Sequence, residues 1–122
     1  MLKLAGLHVL IVEDEYFIAR SIARIVEEAG GKNVGPARDL QAARDLLSGS
    51  EVDVAVLDID IHGTDVYPLT SDLAARGVPF LFVTGYDVSG ISPNFQNRPL
   101  VTKPFEDSAV LDAIVAATRP AA

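Results

Sequence analysis

Short apolar runs alternate with amphipathic segments along the whole chain. The apolar runs predict five strands, at residues 8–12, 33–35, 52–57, 80–83 and 100–102. These runs are rich in β-branched residues and most are apolar at consecutive positions, as in strands that are buried on both faces of a sheet. Strands that alternate with helices are typical of a parallel sheet with helices on both faces. The pattern therefore predicts the α/β class.

Apolar residues recur at helical spacing in four further segments, at 18–29, 40–47, 69–75 and 111–115. We expect Gly30 and Gly31 to end the first of these helices, and Asp39 to cap the start of the second. Pro68 stands where the first turn of the third helix tolerates proline. The segment 86–99 interrupts the alternation, because it contains glycine, proline, asparagine and serine where a helix is due. We predict a loop or a weak helical turn there.

The composition limits the partners and the chemistry of the protein. Its 122 residues suit one domain, since domains most often have about 100–150 residues. The 17 acidic and 10 basic side chains give a formal charge of -7, which argues against nucleic acid or an anionic membrane as the main partner. The sequence has no cysteine, so disulfides and thiolate chemistry are excluded. No apolar run approaches the roughly 20 residues of a membrane-spanning helix, and we expect a cytoplasmic protein.

Side chains that can bind a ligand or take part in a reaction follow four of the predicted strands. They are Glu13 and Asp14 after the first strand, Asp58 and Asp60 after the third, Thr84 after the fourth and Lys103 after the fifth. In parallel α/β folds, ligands bind at the carboxyl ends of the strands. Carboxylates about 4 Å apart repel each other by roughly 4 kcal/mol at an effective dielectric constant of about 20, so such a cluster favours a cation. An all-oxygen set of ligands favours Mg²⁺, and an aspartate can be the nucleophile in phosphoryl transfer.

Each of these residues also has an ordinary structural interpretation. A carboxylate at the end of a strand is commonly a turn former or a helix N-cap. Lys103 by itself is a solvated lysine, and Thr84 with Gly85 is an ordinary turn. Their common position at one edge of the predicted sheet favours a site.

With these residues in order, the sequence resembles a response-regulator receiver domain of the CheY-like kind over essentially its whole length. The markers are the pair Glu13-Asp14, then Asp58, Thr84 and the pair Lys103-Pro104. Residues 82–86, Phe-Val-Thr-Gly-Tyr, are similar to the Phe-Ala-Thr-Gly-Tyr motif of a bacterial subclass. That subclass is often associated with HWE-type histidine kinases.

The resemblance implies a fold and a function. The fold is a flavodoxin-like, doubly wound sheet of five parallel strands in the order 2-1-3-4-5, with helices on both faces and a fourth helix that is short, weak or missing. Residues 1–122 form a single receiver domain of a two-component or phosphorelay system. It accepts a phosphoryl group from a histidine kinase or a phosphotransfer protein and changes conformation to control a partner protein. It is not an enzyme beyond slow self-catalysed phosphorylation and dephosphorylation.

The resemblance also implies a role for each site residue. Asp58 is the phosphoacceptor, Lys103 pairs with the acyl phosphate, and Thr84 moves to the phosphoryl group as the switch. Mg²⁺ is bound by the side chains of Asp14 and Asp58, by the backbone carbonyl of Asp60 and, through water, by Glu13. Backbone amides near Ile59 and Gly85 are further candidates to hold phosphate oxygens.

Several positions depart from the family pattern. Leu100 stands where the family has an aromatic switch residue, and Tyr86 either replaces that aromatic or packs at the sheet edge. His62 stands in place of a frequent proline, and we interpret it as an exposed loop histidine. His8 is interpreted as structural, and Phe105 as packing that holds the turn after Lys103.

Two other functions stay open at this point. A receiver-like module that works without phosphorylation would fit the missing aromatic at Leu100. A phosphohydrolase is the third hypothesis, because Asp58-Ile59-Asp60, with Thr64 beyond it, resembles the Asp-x-Asp-x-Thr motif of haloacid dehalogenases. That motif normally ends the first strand, whereas here it ends the third.

Overall fold

The computed structural model describes residues 2–61, 64–85 and 98–119. The strands are β1 His8–Val12, β2 Lys32–Ala37, β3 Val54–Leu57, β4 Asp60–Ile61, β5 Thr64–Asp65, β6 Phe80–Thr84 and β7 Leu100–Thr102. The helices are α1 Tyr16–Glu28, α2 Leu40–Gly49, α3 Tyr67–Ala75 and α4 Asp107–Thr118. Within these residues, no helix is both long and apolar enough to cross a membrane.

Five of the strands form one sheet in the order β2-β1-β3-β6-β7. Every neighbouring pair in this sheet is parallel. Because β6 and β7 are its fourth and fifth strands along the chain, the predicted order 2-1-3-4-5 is confirmed. After β2 the chain crosses to β3 on the other side of β1, and this reversal makes the sheet doubly wound, with helices on both of its faces.

The core consists of two apolar layers, one on each face of the sheet. Along β1, Val9 and Ile11 face the layer that contains α1 and α4, whereas Leu10 and Val12 face the layer that contains α2 and α3. This alternation follows from the period of two along a strand. Each fully buried side chain of this size contributes about 1.5–3 kcal/mol, so both layers stabilise the sheet edge that carries the site.

Three predicted boundary signals of the helices agree with the structure, although α1, α3 and α4 begin earlier than their apolar patterns do. Gly30 follows α1 with a φ of 88°, a left-handed conformation that suits glycine. The side chain of Asp39 accepts a hydrogen bond from the backbone N–H of Ala42 at 2.8 Å, as an N-cap does. Pro68 lies in the first turn of α3. The predicted loop or weak helix lies almost wholly in residues 86–97, which are outside the described residues.

Three strands differ from their predicted bounds, since β6 ends at Thr84 rather than at residue 83 and β2 and β3 also differ, and one hairpin was not predicted. Strand β2 is longer than the predicted residues 33–35. Its full length was not predicted, because it is an edge strand whose polar residues obscure the apolar pattern. Strand β3 begins at Val54 rather than at residue 52. The antiparallel pair β4–β5 follows Asp58 and was not predicted, since two-residue strands are too short to show a period.

Candidate functional site

The backbone at the carboxyl edge of the sheet holds the site residues in place. Hydrogen bonds continue past the strand ends, from Glu13 N to Ala37 O, from Asp58 N to Val12 O and from Lys103 N to Thr84 O, each at 2.9 Å. The ladder thus extends by one residue on β1, β3 and β7. Each functional side chain therefore starts from a backbone position that the sheet sets rather than from a free loop.

Three carboxylates meet at this edge, as the sequence predicts. Glu13, Asp14 and Asp58 each have a carboxylate oxygen within 4.8 Å of the other two. The side chain of Glu13 is 1% exposed, and that of Asp58 is 11% exposed. At an effective dielectric constant of about 20, charges at this separation repel each other by roughly 3 kcal/mol per pair. The cluster is therefore stable only with a compensating positive charge.

Lys103 supplies a positive charge inside the cluster. Its Nζ donates a hydrogen bond to Oδ2 of Asp58 at 2.9 Å, and it lies 2.9 Å from Oε2 of Glu13. The contact with Glu13 is an ion pair whose angles do not meet those of a hydrogen bond. Burial lowers the pKa of Lys103, but the close contacts with the negatively charged Glu13 and Asp58 outweigh burial and raise this pKa above its usual value. The ammonium group therefore stays charged at neutral pH.

Glu13 is the most deeply buried acid of the site. Its pKa is raised from 4.5 to about 7, because burial and the neighbouring Asp58 raise it more than the contact with Lys103 lowers it. Its Oε1 accepts a hydrogen bond from the backbone N–H of Glu15 at 3.2 Å. A proton or a metal ion therefore competes for this carboxylate near neutral pH.

The donor set fits a hard divalent cation. The carboxylates of Glu13, Asp14 and Asp58 offer only oxygen atoms, and they lie close enough together for one ion to contact more than one of them. Asp60 begins β4, two positions after Asp58. Its backbone is therefore close along the chain to the acidic cluster.

Thr84 and Leu100 occupy different places relative to the cluster. Thr84 ends β6 and is buried, and its carbonyl accepts the hydrogen bond from the backbone of Lys103. Leu100 lies beside Phe82 in the register of β6 and β7, and it packs on the layer that contains α2 and α3. It is therefore an apolar packing residue two positions before the edge. Tyr86 and His62, two further residues considered from the sequence, lie outside the described residues.

Three further residues considered from the sequence lie around the site. Phe105 packs as predicted, and Gly85 and Ile59 lie beside the ends of their strands. Phe105 is half-buried against the layer that contains α1 and α4. Gly85 directly follows Thr84 and is exposed. Ile59 is buried in the layer that contains α2 and α3. The backbones of Ile59 and Gly85 therefore lie at the same edge as the acidic cluster.

An exposed aromatic pair beside the site was missed in the sequence. Tyr16 and Phe17 begin α1, directly after the acidic residues, and they are 67% and 75% exposed. Their rings pack edge to face, with centroids 5.3 Å apart. A cavity of about 410 Å³ adjoins Phe17 and is also lined by Lys103 and Phe105. The signal was available, because two large aromatics precede the apolar stripe of α1 where polar residues are expected.

Known proteins share this arrangement of sheet and chain. The family described as "Response regulator receiver domain" matches residues 9–115. The solution structure of SdrG from Sphingomonas melonis Fr1 superposes with a TM-score of 0.83 at 32% identity, covering 98% of this chain and 100% of that one. The receiver domain of the PhyR response regulator from Erythrobacter litoralis superposes with a TM-score of 0.81 at 27% identity, covering 97% of each chain.

Curated relatives are longer than this chain. Nodulation protein W of Bradyrhizobium diazoefficiens is 30% identical in an alignment of 118 positions that covers 90% of this chain and 50% of that protein. The transcriptional regulatory protein PdtaR of Mycobacterium tuberculosis is 27% identical over 110 residues, covering 87% of this chain and 54% of that protein. The chain thus spans about half the length of the curated relatives that it matches.

Proposed function

The chain belongs to the response regulator receiver domain family, and we propose that it accepts a phosphoryl group on Asp58 and changes conformation to control a partner protein. The observation that carries this proposal is the 2.9 Å contact between Lys103 Nζ and Oδ2 of Asp58. It places an ammonium group on the carboxylate that would become the acyl phosphate, at a cluster of two further acids. A nucleophile with a cation on its oxygen is what the transfer of a charged phosphoryl group requires.

The proposed reaction is an in-line displacement on a phosphohistidine. A carboxylate oxygen of Asp58 attacks the phosphorus atom, a P–O bond forms, and the P–N bond breaks with its electron pair moving to the imidazole nitrogen. Lys103 then pairs with the oxygens of the acyl phosphate. Thr84 donates its hydroxyl hydrogen to the phosphoryl group and carries the switch, with the backbone amides near Ile59 and Gly85 as further donors.

The same residues provide the proposed Mg²⁺ site. Asp14 and Asp58 would bind by their side chains, Asp60 by its backbone carbonyl, and Glu13 through water. When it is bound, Mg²⁺ supplies positive charge that offsets both the acidic cluster and the phosphoryl oxygens. The buried carboxylate of Glu13, with its raised pKa, is consistent with a site where a bound cation would stabilise the negative charge.

We propose a histidine kinase, or a phosphotransfer protein, as the phosphodonor. The α1 aromatic surface, which we define as Tyr16 and Phe17, exposes two large rings beside the phosphoacceptor. Phe17 and Lys103 line one cavity, and Lys103 contacts Asp58, so a donor protein that reaches Asp58 past this cavity would bury the exposed rings. The similarity of residues 82–86 to Phe-Ala-Thr-Gly-Tyr supports a kinase of the HWE type.

We further propose that residues 1–122 are one receiver domain that works in the cytoplasm through protein contacts. Its charge of -7 disfavours nucleic acid and anionic membranes as direct partners. Its chemistry would be limited to slow self-catalysed phosphorylation and dephosphorylation. Leu100 favours one alternative, a module that works without phosphorylation, because it removes the usual aromatic partner of the switch threonine.

Intact-mass measurement after incubation with acetyl phosphate tests the proposal. Wild type and Asp112→Asn, which removes an exposed carboxylate on α4, are expected to gain one phosphoryl group with Mg²⁺ and none without it. Asp58→Asn is expected to gain none. A parallel NMR titration with beryllofluoride and Mg²⁺ is expected to shift the signals of Thr84 and Lys103. A wild type that responds in neither experiment would contradict phosphorylation and favour the phosphorylation-independent module.

A further inference from the structure

A second cluster of metal-ligating side chains lies at the opposite edge of the sheet from Asp58. His8 begins β1, and Asp53 directly precedes β3, which is the neighbour of β1 in the sheet. Glu51 lies in the same connection, two residues after the end of α2. One ligand atom of each of these three side chains lies within 4.8 Å of the other two. We call these three residues the His8 cluster.

The backbone builds the His8 cluster into the sheet. The N–H of Asp53 donates to the carbonyl of His8 at 2.8 Å. The N–H of His8 donates in return to Oδ2 of Asp53 at 2.7 Å. The side chain of His8 is 25% exposed, so its ring is partly buried while one side still reaches solvent. The positions of His8 and Asp53 are therefore set by the two adjacent strands.

The contact with Asp53 decides which ring nitrogen of His8 is available. Nδ1 lies 3.1 Å from Oδ2 of Asp53. Because an ionised carboxylate only accepts hydrogen bonds, Nδ1 carries the proton, and the neutral ring then has its lone pair on Nε2. A carboxylate that accepts from the other ring nitrogen is the partner that typically orients a metal-bound histidine. Asp53 is thus placed as such an orienting residue.

The free lone pair faces a second carboxylate. Nε2 of His8 lies 3.8 Å from Oε2 of Glu51, which is too long for a hydrogen bond. Two bonds to Zn²⁺ of about 2.1 Å each span up to about 4.2 Å, so one ion can contact both atoms. An imidazole donor favours a transition metal such as Zn²⁺. The oxygen-only cluster at the other edge favours Mg²⁺ instead.

We propose that Nε2 of His8 and the carboxylate of Glu51 bind a Zn²⁺ ion, with Asp53 holding the imidazole ring and water completing the coordination. The ion would join the start of β1 to the connection between α2 and β3. Because Zn²⁺ would bind the folded chain better than the unfolded one, it would stabilise the fold by mass action. This site does not depend on the proposed phosphoacceptor function.

A Zn²⁺ titration followed through the imidazole ¹H–¹⁵N NMR signals tests this site. Excess Mg²⁺ is kept present so that the acidic cluster at the other edge does not take up Zn²⁺. The chain has two histidines, and His8→Gln assigns their signals. We expect the Nε2 signal of His8 to shift in a saturable way that reports direct coordination.

Two variants test the roles of Glu51 and Asp53, and a third is the control. Glu51→Gln is expected to weaken Zn²⁺ binding at least about tenfold, and Asp53→Asn to weaken it about 10–100-fold, as loss of a residue that orients a metal-bound histidine does. Glu51 is 75% exposed, so its variant is expected to keep the fold. Glu27→Gln removes an exposed carboxylate on α1 and is expected to bind Zn²⁺ like wild type. A His8 signal that Zn²⁺ leaves unchanged, or equal affinity in Glu51→Gln and wild type, would overturn the proposal.

Discussion

A carboxylate oxygen of Glu13 lies 2.9 Å from Nζ of Lys103, and the side chain of Glu13 is only 1% exposed. A buried carboxylate is costly unless a partner compensates its charge. The same ammonium group also contacts Asp58, so one lysine that follows β7 compensates acids that follow β1 and β3. This shared cation links the stability of the fold to the state of the site.

Replacing Lys103 by Met is expected to lower the free energy of unfolding at pH 8 by about 1–3 kcal/mol without added metal, because two carboxylates lose their common cation. Urea unfolding measures this difference. Lys3→Met is the control, since Lys3 pairs with Asp112 at 3.5 Å at the surface. We expect the control to change the free energy by less than about 0.5 kcal/mol. Equal stability of Lys103→Met and wild type would show that the ion pair adds nothing.

Glu13 predicts a pH dependence of stability in the metal-free protein. Its pKa is raised from 4.5 to about 7 by burial, so the folded state binds this proton more tightly than the unfolded state does. The resulting stabilisation is fully present below about 4.5 and is lost as the pH rises through about 7. The pKa of Lys103 is also raised, but its contribution is lost only at pH values above this range.

Glu13→Gln isolates that contribution. Between pH 5 and pH 8, wild type is expected to lose on the order of 1–3 kcal/mol more of its unfolding free energy than the variant does. Urea unfolding of both proteins across this range, without divalent cations, gives the difference. Parallel pH profiles of the two proteins would contradict the raised pKa of Glu13.

Asp58→Asn is expected to fold normally and to be slightly more stable than wild type at pH 8, by up to about 1 kcal/mol. The substitution removes one of three mutually repelling charges while Lys103 keeps its contact with Glu13. Thermal unfolding without metal checks this, with Asp112→Asn as the control for removal of an exposed charge. A large loss of stability in Asp58→Asn would mean that its hydrogen bond with Lys103 outweighs the repulsion.

The sequence predicts those site residues that lie directly after the end of a strand. Asp58 and Lys103 each come after an apolar run, and parallel strands bring such positions to one edge whatever the details of packing. The pair β4–β5 could not be predicted, because strands this short have no period. The contacts of His8 with Asp53 also escaped prediction, because they join residues 45 positions apart. Only the register of β1 and β3 reveals them.

Phe17 provides a test of the phosphodonor surface that is separate from the chemistry at Asp58. Its ring is 75% exposed, and burial of a phenylalanine against a partner contributes about 1.5–3 kcal/mol. We therefore expect Phe17→Ala to reduce phosphotransfer from a histidine kinase by about 10–100-fold at limiting concentration. Phosphorylation by acetyl phosphate should stay unchanged, because a small donor needs no aromatic surface.

Leu2→Ala is the matched control for Phe17→Ala, because Leu2 is also exposed, at 57%, and lies outside the cavity beside Lys103. It is expected to transfer like wild type with both donors. Equal loss in Phe17→Ala with the kinase and with acetyl phosphate would place its effect on the site itself rather than on docking. No loss with the kinase would show that the phosphodonor approaches Asp58 without contacting the start of α1.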